Sequence, residues 1–438
     1  MTELARKRSS MNANHNMVGN TMRLKNIRTA TRLVAAALLT STALPATAGE
    51  KAEVIHWWTS GGEAAAVNVL AEAFNAAGGE WVDNAIAGGG GNNARSAGIN
   101  RIIGGDPSAA MQFNYGKQLD EIVANGYVRD ISDLAAAGHW QDVLPSLIWD
   151  SISRDGKVYG VPVNIHGQTW SWWSIPALEK AGADVPQTWD DFFPTLDKLK
   201  AAGIIPVAMS RDAWTVDAMW RFLVVSKGGT DLFRKVYIDH DVDALNSPEF
   251  RDVVETFFKL RDYSDQGAPA RNWNDSTALI INDAAGVQFM GDWAKGEFNN
   301  AGKTAMVDYA CTPTIGANEG YVYGGDLFIT TATDDPEMLK AQDLLVDTMM
   351  DPEVQVAFNL VKGSIPVRGD VDTSKVDPCG QIGLKLMANP DNQLGDQPFY
   401  NSNDAIGAIR DLLATSWADP NASVDEFVAK FAAAISMQ

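Results

Sequence analysis

Cysteine, histidine and net positive charge are all scarce in this 438-residue chain, and each scarcity removes a class of function. Two cysteines, Cys311 and Cys379, exclude a disulfide-dense miniprotein, and nothing in their spacing suggests a metal site. There are five histidines, and the chain contains neither H-E-x-x-H nor C-x-x-C, which leaves zinc hydrolysis without its ligands. Acidic residues outnumber basic ones by 55 to 35, for a net charge of −20. Nucleic acids and anionic membranes need a basic surface, so neither is expected as a partner. No apolar run approaches the ~20 residues of a membrane span, so no membrane insertion is expected. G-x-S-x-G is missing, and Gly88–Gly91, followed by Asn92 and Asn93, lacks the Lys-Ser/Thr of a phosphate loop and the third glycine of a dinucleotide fingerprint. No cofactor is expected.

The chain is well supplied with apolar residues, at 46% of the total, enough for packed cores. Its basic residues are clustered at the start. Residues 1–48 carry Arg6, Lys7, Arg8, Arg23, Lys25, Arg28 and Arg32 against the single acid Glu3, leaving −26 for the remainder. From Met22 the order is a basic start, the apolar stretch Leu33–Leu39 and the small-residue ending Ala46-Thr47-Ala48. That is the layout of a cleavable secretory leader, with Met22 as the start and Gly49 as the mature N-terminus. A soluble protein exported to the periplasm is expected. In that oxidising compartment Cys311 and Cys379 favour one disulfide, with two buried free thiols as the alternative.

Beyond the leader, short apolar strands alternate with amphipathic helices. Ala52–His56 reads as the first strand, and Glu63–Ala76 as a helix. Thr188 caps a helix bearing Phe192, Leu196 and Leu199, ahead of a strand from Ile204. Ser247-Pro248, Asp335-Pro336 and Asp351-Pro352 open three more helices, with proline in the first turn where its missing N–H costs nothing. Val158–Val163, Ala285–Met290 and Tyr321–Thr331 read as further strands. The alternation implies α/β layers with largely parallel sheets. About 390 residues without a linker imply two interleaved lobes rather than domains joined end to end.

Among 14 tryptophans, several stand in turns beside charged groups. His56-Trp57-Trp58-Thr59-Ser60-Gly61-Gly62-Glu63 leaves the first strand and enters the first helix, the general ligand position in open α/β sheets. Trp170, Trp172 and Trp173, then Trp273-Asn274-Asp275, Gly291-Asp292-Trp293 and Gly324-Gly325-Asp326 follow the same pattern. Pyranose C–H faces pack on aromatic rings, and their hydroxyls suit planar or charged partners, so this is the composition of a sugar site. Isolated rings such as Trp140, Trp149, Trp189 and Trp214 read as packing, and Glu63 alone could be only a helix cap. Adjacent Trp57 and Trp58 point to opposite faces, so at a strand end one or both are expected in a cleft.

HWWTSGGE (His56–Glu63), FNYGKQLDEI (Phe113–Ile122), KVYGVPVNIH (Lys157–His166), MGDW (Met290–Trp293), GGDLF (Gly324–Phe328) and KGSIPVR (Lys362–Arg368) together resemble the sugar-binding proteins of bacterial ABC importers, extracellular solute-binding family 1 of the glucose- and mannose-binding type. The resemblance implies a type II-like periplasmic binding protein fold, with two α/β lobes, hinge crossovers and an interlobe ligand cleft. It places lobe 1 at 49–162 plus 312–366 and lobe 2 at 163–311 plus 367–438. It implies a monosaccharide ligand, a glucose-like hexose or an amino sugar, with an inner-membrane ABC permease as partner and a monomeric, non-enzymatic protein.

Position by position, the resemblance makes Trp57, Trp58 and Glu63 the first-lobe platform and hydroxyl acceptor. Lys117 and Lys362 become cationic donors, Trp293 the second-lobe stacking ring, and Asp326 a hydroxyl-binding carboxylate. Asn164 and His166 become hinge-side positions that reach the ligand, and Trp273 and Asp292 further candidates. Cys311 and Cys379 sit where such relatives carry a bridge. The glucose-binding relatives place a histidine late in the site, whereas this chain has none after His240 and reads GDQPFYNSND over Gly395–Asp404. A secreted carbohydrate-active enzyme using two carboxylates among Glu63, Asp292 and Asp326 is the alternative. A peptide or polyamine ligand fits less well, because the proposed contacts mix Lys with Asp.

Overall fold

A computed structural model describes residues 50–437, so the expected leader at 1–48 lies outside the described residues. Two sheets organise the chain. The first has five strands in the order Gly79–Ala85, Glu50–His56, Ala110–Asn114, Asp326–Thr330 and Val161–Pro162. Its first three strands run parallel, and Asp326–Thr330 pairs antiparallel to Ala110–Asn114, with Asp326 opposite Asn114. The second sheet has the order Tyr309–Thr312, Trp170–Ser174, Ala285–Met290 and Ile205–Val207. A three-stranded sheet of Gln393–Gly395, Tyr321–Gly324 and His166–Gly167 completes the frame. The expectation of largely parallel sheets holds only in part, because Trp170–Ser174 is antiparallel to both neighbours. That strand follows His166–Gly167 of another sheet with no helix between them, so no βαβ crossover forces it to run parallel.

The helix starts follow from local chemistry. Thr188 accepts the Asp191 N–H at 3.2 Å and opens Trp189–Ala201, and Ser247 accepts that of Phe250 at 3.1 Å to open Pro248–Leu260. Asp335 and Asp351 cap Pro336–Met350 and Pro352–Lys362 in the same way. Pro248–Leu260 buries Phe250, Val253, Val254, Phe257 and Leu260. Phe250 and Phe257 meet Trp220, whose ring also lies 5.1 Å from Phe427 and 5.6 Å from Phe431. Aromatic pairs of this kind add roughly 0.5–1.5 kcal/mol each beyond area burial.

The predicted strand Tyr321–Thr331 is two strands. Tyr321–Gly324 pairs with His166–Gly167 and Gln393–Gly395, whereas Asp326–Thr330 belongs to the five-stranded sheet, so the chain changes sheets at Gly325. A Cβ there would lie 2.5 Å from the Asn164 carbonyl oxygen and 2.7 Å from the Tyr115 ring, a space only glycine fits. The run Val158–Val163 is likewise interrupted, into Lys157–Val158 and Val161–Pro162, before the chain passes to His166–Gly167. A third passage lies beside it, where Ile165 and Ile365 exchange backbone hydrogen bonds at 2.8 and 3.0 Å. Cys311 and Cys379 are disulfide-bonded, with 6.1 Å between their Cα atoms.

Candidate functional site

The crossovers meet beneath a cleft of about 890 Å³, near the upper end of the range for small-molecule sites, roughly 300–1,000 Å³. Its walls come from both sheet systems: Trp57, Glu63, Arg95, Asn114 and Lys362 on one side, Trp214, Trp273, Trp293, Asp396 and Arg410 on the other. Asp326 and His166 lie between them.

Asp326 is the hub. It starts its strand immediately after Gly325 and is buried. Its Oδ1 accepts from Gln112 Nε2 at 3.1 Å and Asn114 Nδ2 at 3.0 Å, and its Oδ2 from Asn164 Nδ2 at 3.1 Å, with His166 Nε2 at 3.2 Å. Four donors fill the roughly four lone-pair sites of a carboxylate. Asp326 thus orients its neighbours as well as lining the cleft. On the far edge of His166, Nδ1 meets Asp292 Oδ1, whose other oxygen accepts the Gly167 N–H at 2.8 Å. Burial opposes protonation of His166, but the charge and hydrogen bond of Asp292, joined by Asp326, outweigh it and raise its pKa. For Asp326, burial pushes the pKa upward, and His166, Lys362 and Asn164 overcome that push and hold it below the usual value.

The first strand and helix bring in Trp57, Trp58 and Glu63. Glu63 does cap: its Oε2 accepts from the Thr59 and Ser60 N–H groups at 3.2 and 3.4 Å. Its Oε1 lies 3.6 Å from Lys362 Nζ, an ion pair longer than a hydrogen bond, which leaves the ammonium able to donate into the cleft. Lys362 ends the helix Pro352–Lys362, and its Nζ sits 5.4 Å from the centre of the Trp58 ring. Of the tryptophan pair, Trp57 is partly exposed in the cleft, while Trp58 is 2% exposed and packs against Phe328 and Phe358. Trp58 still lines the floor of the cleft, its ring largely covered by those two phenylalanines.

Trp293 follows Gly291, where any Cβ would fall 2.1 Å from its ring. It meets His166 edge-on at 5.2 Å and lies 6.2 Å from Trp214. Trp273 begins the helix Trp273–Ile281 and also lines the cleft.

Several expectations need correction. Lys117 is not among the cleft-lining residues. It heads the short helix Lys117–Leu119, whose turn presents Gln118 to the cleft instead and lets it accept the Asn114 N–H at 3.3 Å. Asn164 and Asp292 are buried behind the wall, where they hold Asp326 and His166 rather than reach the cavity. Trp170, Trp172 and Trp173 are core residues of the strand Trp170–Ser174. Trp214, expected to be packing, is a cleft residue.

The residues missed altogether are mostly polar. Arg221 binds Asp396 Oδ1 at 2.5 Å, and Arg221 and Arg410 flank buried Asp217 at 3.5 and 3.3 Å. Asp396, Phe399 and Asn403 come from the GDQPFYNSND segment that lacks histidine, so the signal was visible there without its pairing. Arg95, in the helix Asn92–Ile103, follows the glycine run, which together with Asn92 and Asn93 at a strand exit was the available cue.

The fold and cleft define the class. A family model described as bacterial extracellular solute-binding protein matches residues 70–377, and the chain belongs to that family. A probable sugar-binding periplasmic protein of Rhizobium meliloti (strain 1021) is 34% identical over 410 residues, covering 92% of this chain and 98% of the relative. Another, from Brucella melitensis biotype 1, is 38% identical over 398 residues, covering 89% and 94%. Among solved structures, the bacterial solute receptor AcbH, described as having an exclusive preference for β-D-galactopyranose, matches with a TM-score of 0.73 at 17% identity, over 88% of this chain and 97% of that one. Maltose-bound MalE3 of T. maritima matches with 0.70 at 16% identity, over 88% and 98%. At these identities the structural likeness establishes the fold.

Proposed function

We propose that this protein is the periplasmic sugar receptor of an ABC importer, taking a sugar into the cleft and delivering it to the inner-membrane permease. The observation that carries the reading is the convergence of tryptophan rings (Trp57, Trp214, Trp273 and Trp293) with carboxamides and charged groups on one cavity. Aromatic faces suit pyranose C–H surfaces, and amides, Lys and Arg suit paired hydroxyls. The relatives named as sugar-binding periplasmic proteins support the same ligand class and compartment.

Within that reading, Trp57 and Trp293 are the stacking rings, Lys362 donates to a hydroxyl, and Glu63 and Asp326 hold Lys362 and His166 in place. The ligand is a monosaccharide, a hexose or amino sugar, bound by a monomer. The lobes are 49–162 plus 312–366 and 163–311 plus 367–438, and they close on sugar because only the closed arrangement lets both walls touch it.

Hydrolysis by paired carboxylates fits less well. It needs one carboxyl kept protonated, whereas Asp326 is held ionised and Asp292 is committed to His166 and Gly167. A thermal-shift screen over monosaccharides, amino sugars and short oligosaccharides, with product analysis of each incubation, tests the reading. Saturable stabilisation with intact sugar recovered is expected. Product formation, or no shift with any sugar, would overturn it.

A further inference from the structure

Arg95 is buried at 9% exposure, lines the cleft, and makes no ion pair among the described residues. Its guanidinium donates only to carboxamide oxygens, Nη2 to Asn92 Oδ1 at 2.5 Å and Nη1 to Asn114 Oδ1 at 3.4 Å, and stacks 5.1 Å from the Trp57 ring centre. A guanidinium has five N–H donors, so part of the fork is left for something in the cavity. The buried carboxylates of the cleft are already matched: Glu63 by Lys362, Asp326 by His166 and Asp396 by Arg221. Glu121 and Asp411, which also line it, are exposed.

A second cation faces the same space. Arg410 lines the cavity from the other wall and, among the described residues, has Asp217 as its one ion-pair partner. Arg95 feels it: desolvation first, then repulsion by Arg410, outweigh the attraction of Asp326 and bring its pKa down to about 10. A buried, unpaired fork opposed by a second guanidinium is a costly arrangement for a neutral ligand, whose hydroxyls compensate neither charge. A planar anion placed between the two relieves both terms at once.

We infer that the cleft selects a sugar carrying an anionic group, a carboxylate as in a hexuronic acid or a phosphate, held between Arg95 and Arg410 while the ring packs on the tryptophans. The inference rests on the sugar-receptor reading and narrows its ligand.

Calorimetric titration of the full mature protein tests it, using matched pairs that differ only at C6: glucose with glucuronate and glucose 6-phosphate, and galactose with galacturonate. At least one acidic sugar is expected to bind about tenfold or more tighter than its neutral parent. In Arg95→Gln that ratio is expected to fall toward one, and in Arg95→Lys, which keeps the charge without the fork, to fall only partly. The carboxylate and phosphate arms identify the group. A neutral sugar binding as tightly as its acidic partner in the wild-type protein, or a ratio unchanged in Arg95→Gln, overturns the inference and leaves the receptor reading standing. Failure of every sugar, acidic and neutral, overturns both. The wild-type ratio decides the matter even if the Arg95 variants fold poorly.

Discussion

Asn164 grips Asp326 twice: its Oδ1 accepts the Asp326 backbone N–H at 2.8 Å while its Nδ2 donates to Asp326 Oδ2 at 3.1 Å. One residue sits on the passage between sheets and the other begins a strand of the five-stranded sheet, so the pair fixes the cleft floor to the hinge. Asn164→Ala leaves a buried N–H and a carboxylate lone pair without partners, at a cost of about 1–3 kcal/mol. Urea unfolding is expected to register that loss, with weaker sugar binding beside it; unchanged stability would mean that the hub is not structural.

Charge at the hub sets a pH dependence. His166 has a raised folded pKa, so its contribution is complete below its ordinary value of 6.5 and lost as pH rises through the higher folded value. Asp326 has a lowered folded pKa, so its contribution is complete above 3.8 and lost as pH falls through the lower folded value. Between those ordinary values both are present. The stability gap between wild type and His166→Gln in urea is expected to be widest below pH 6.5 and to narrow as pH rises above it. A gap that is flat or widens with pH would contradict the protonated His166.

Removing the disulfide tests the packing beside the second sheet. Cys311 and Cys379 are 68 residues apart, which the chain-entropy model converts to about 4 kcal/mol. The bridge joins the strand Tyr309–Thr312 to the helix Pro378–Met387, beside the Lys295–Asp377 ion pair at 2.6 Å. A Cys311→Ala/Cys379→Ala double variant is expected to unfold at markedly lower temperature in calorimetry while keeping its sugar affinity within a few-fold. Equal melting of the variant and the oxidised wild type would show that the bridge adds nothing.

Closure has its own marker at Gly62, where a Cβ would lie 2.3 Å from the Gly296 carbonyl carbon. That contact joins the helix Gly61–Ala76 to Ala294–Asn300, and Gly62 N–H also donates to Glu297 Oε1 at 2.8 Å. Backbone cannot yield as a side chain tip can, so Gly62→Ala is expected to hold these helices apart. A penalty of about 1–3 kcal/mol on closing corresponds to about 5- to 150-fold in sugar affinity. Affinity equal to wild type would show that binding does not need this contact.

The parts of this protein legible in the sequence were those governed by local rules. Thr188, Ser247, Asp335 and Asp351 announced their helices because capping is a contact within three residues. The leaving turn of the first strand pointed to Trp57 and Glu63 for the same reason. Asn164, Asp292 and Lys117 went astray because a motif places a residue near a site without fixing which way its side chain turns. Arg221 with Asp396, 175 positions apart, and Arg95 with Asn114 depend on pairings that only the folded chain creates. Of the tryptophans, Trp214 faces the cleft against expectation, and Trp58 lines it while nearly buried, since exposure is decided by neighbours such as Phe328 and Phe358 rather than by the ring itself.

The central claim is that sugar binds in the cleft, and calorimetric titration of wild type beside Trp57→Ala tests it most directly. Trp57 is partly exposed and its loss opens no core cavity, so the variant is expected to fold normally and to bind the preferred sugar at least about tenfold more weakly. Asp326→Ala is less clean as a probe, because it also strands His166 and three amide donors. One sugar per protein with tight wild-type binding and weakened Trp57→Ala binding is the expected result; identical affinities in the two proteins, or no heat from any sugar, would contradict it.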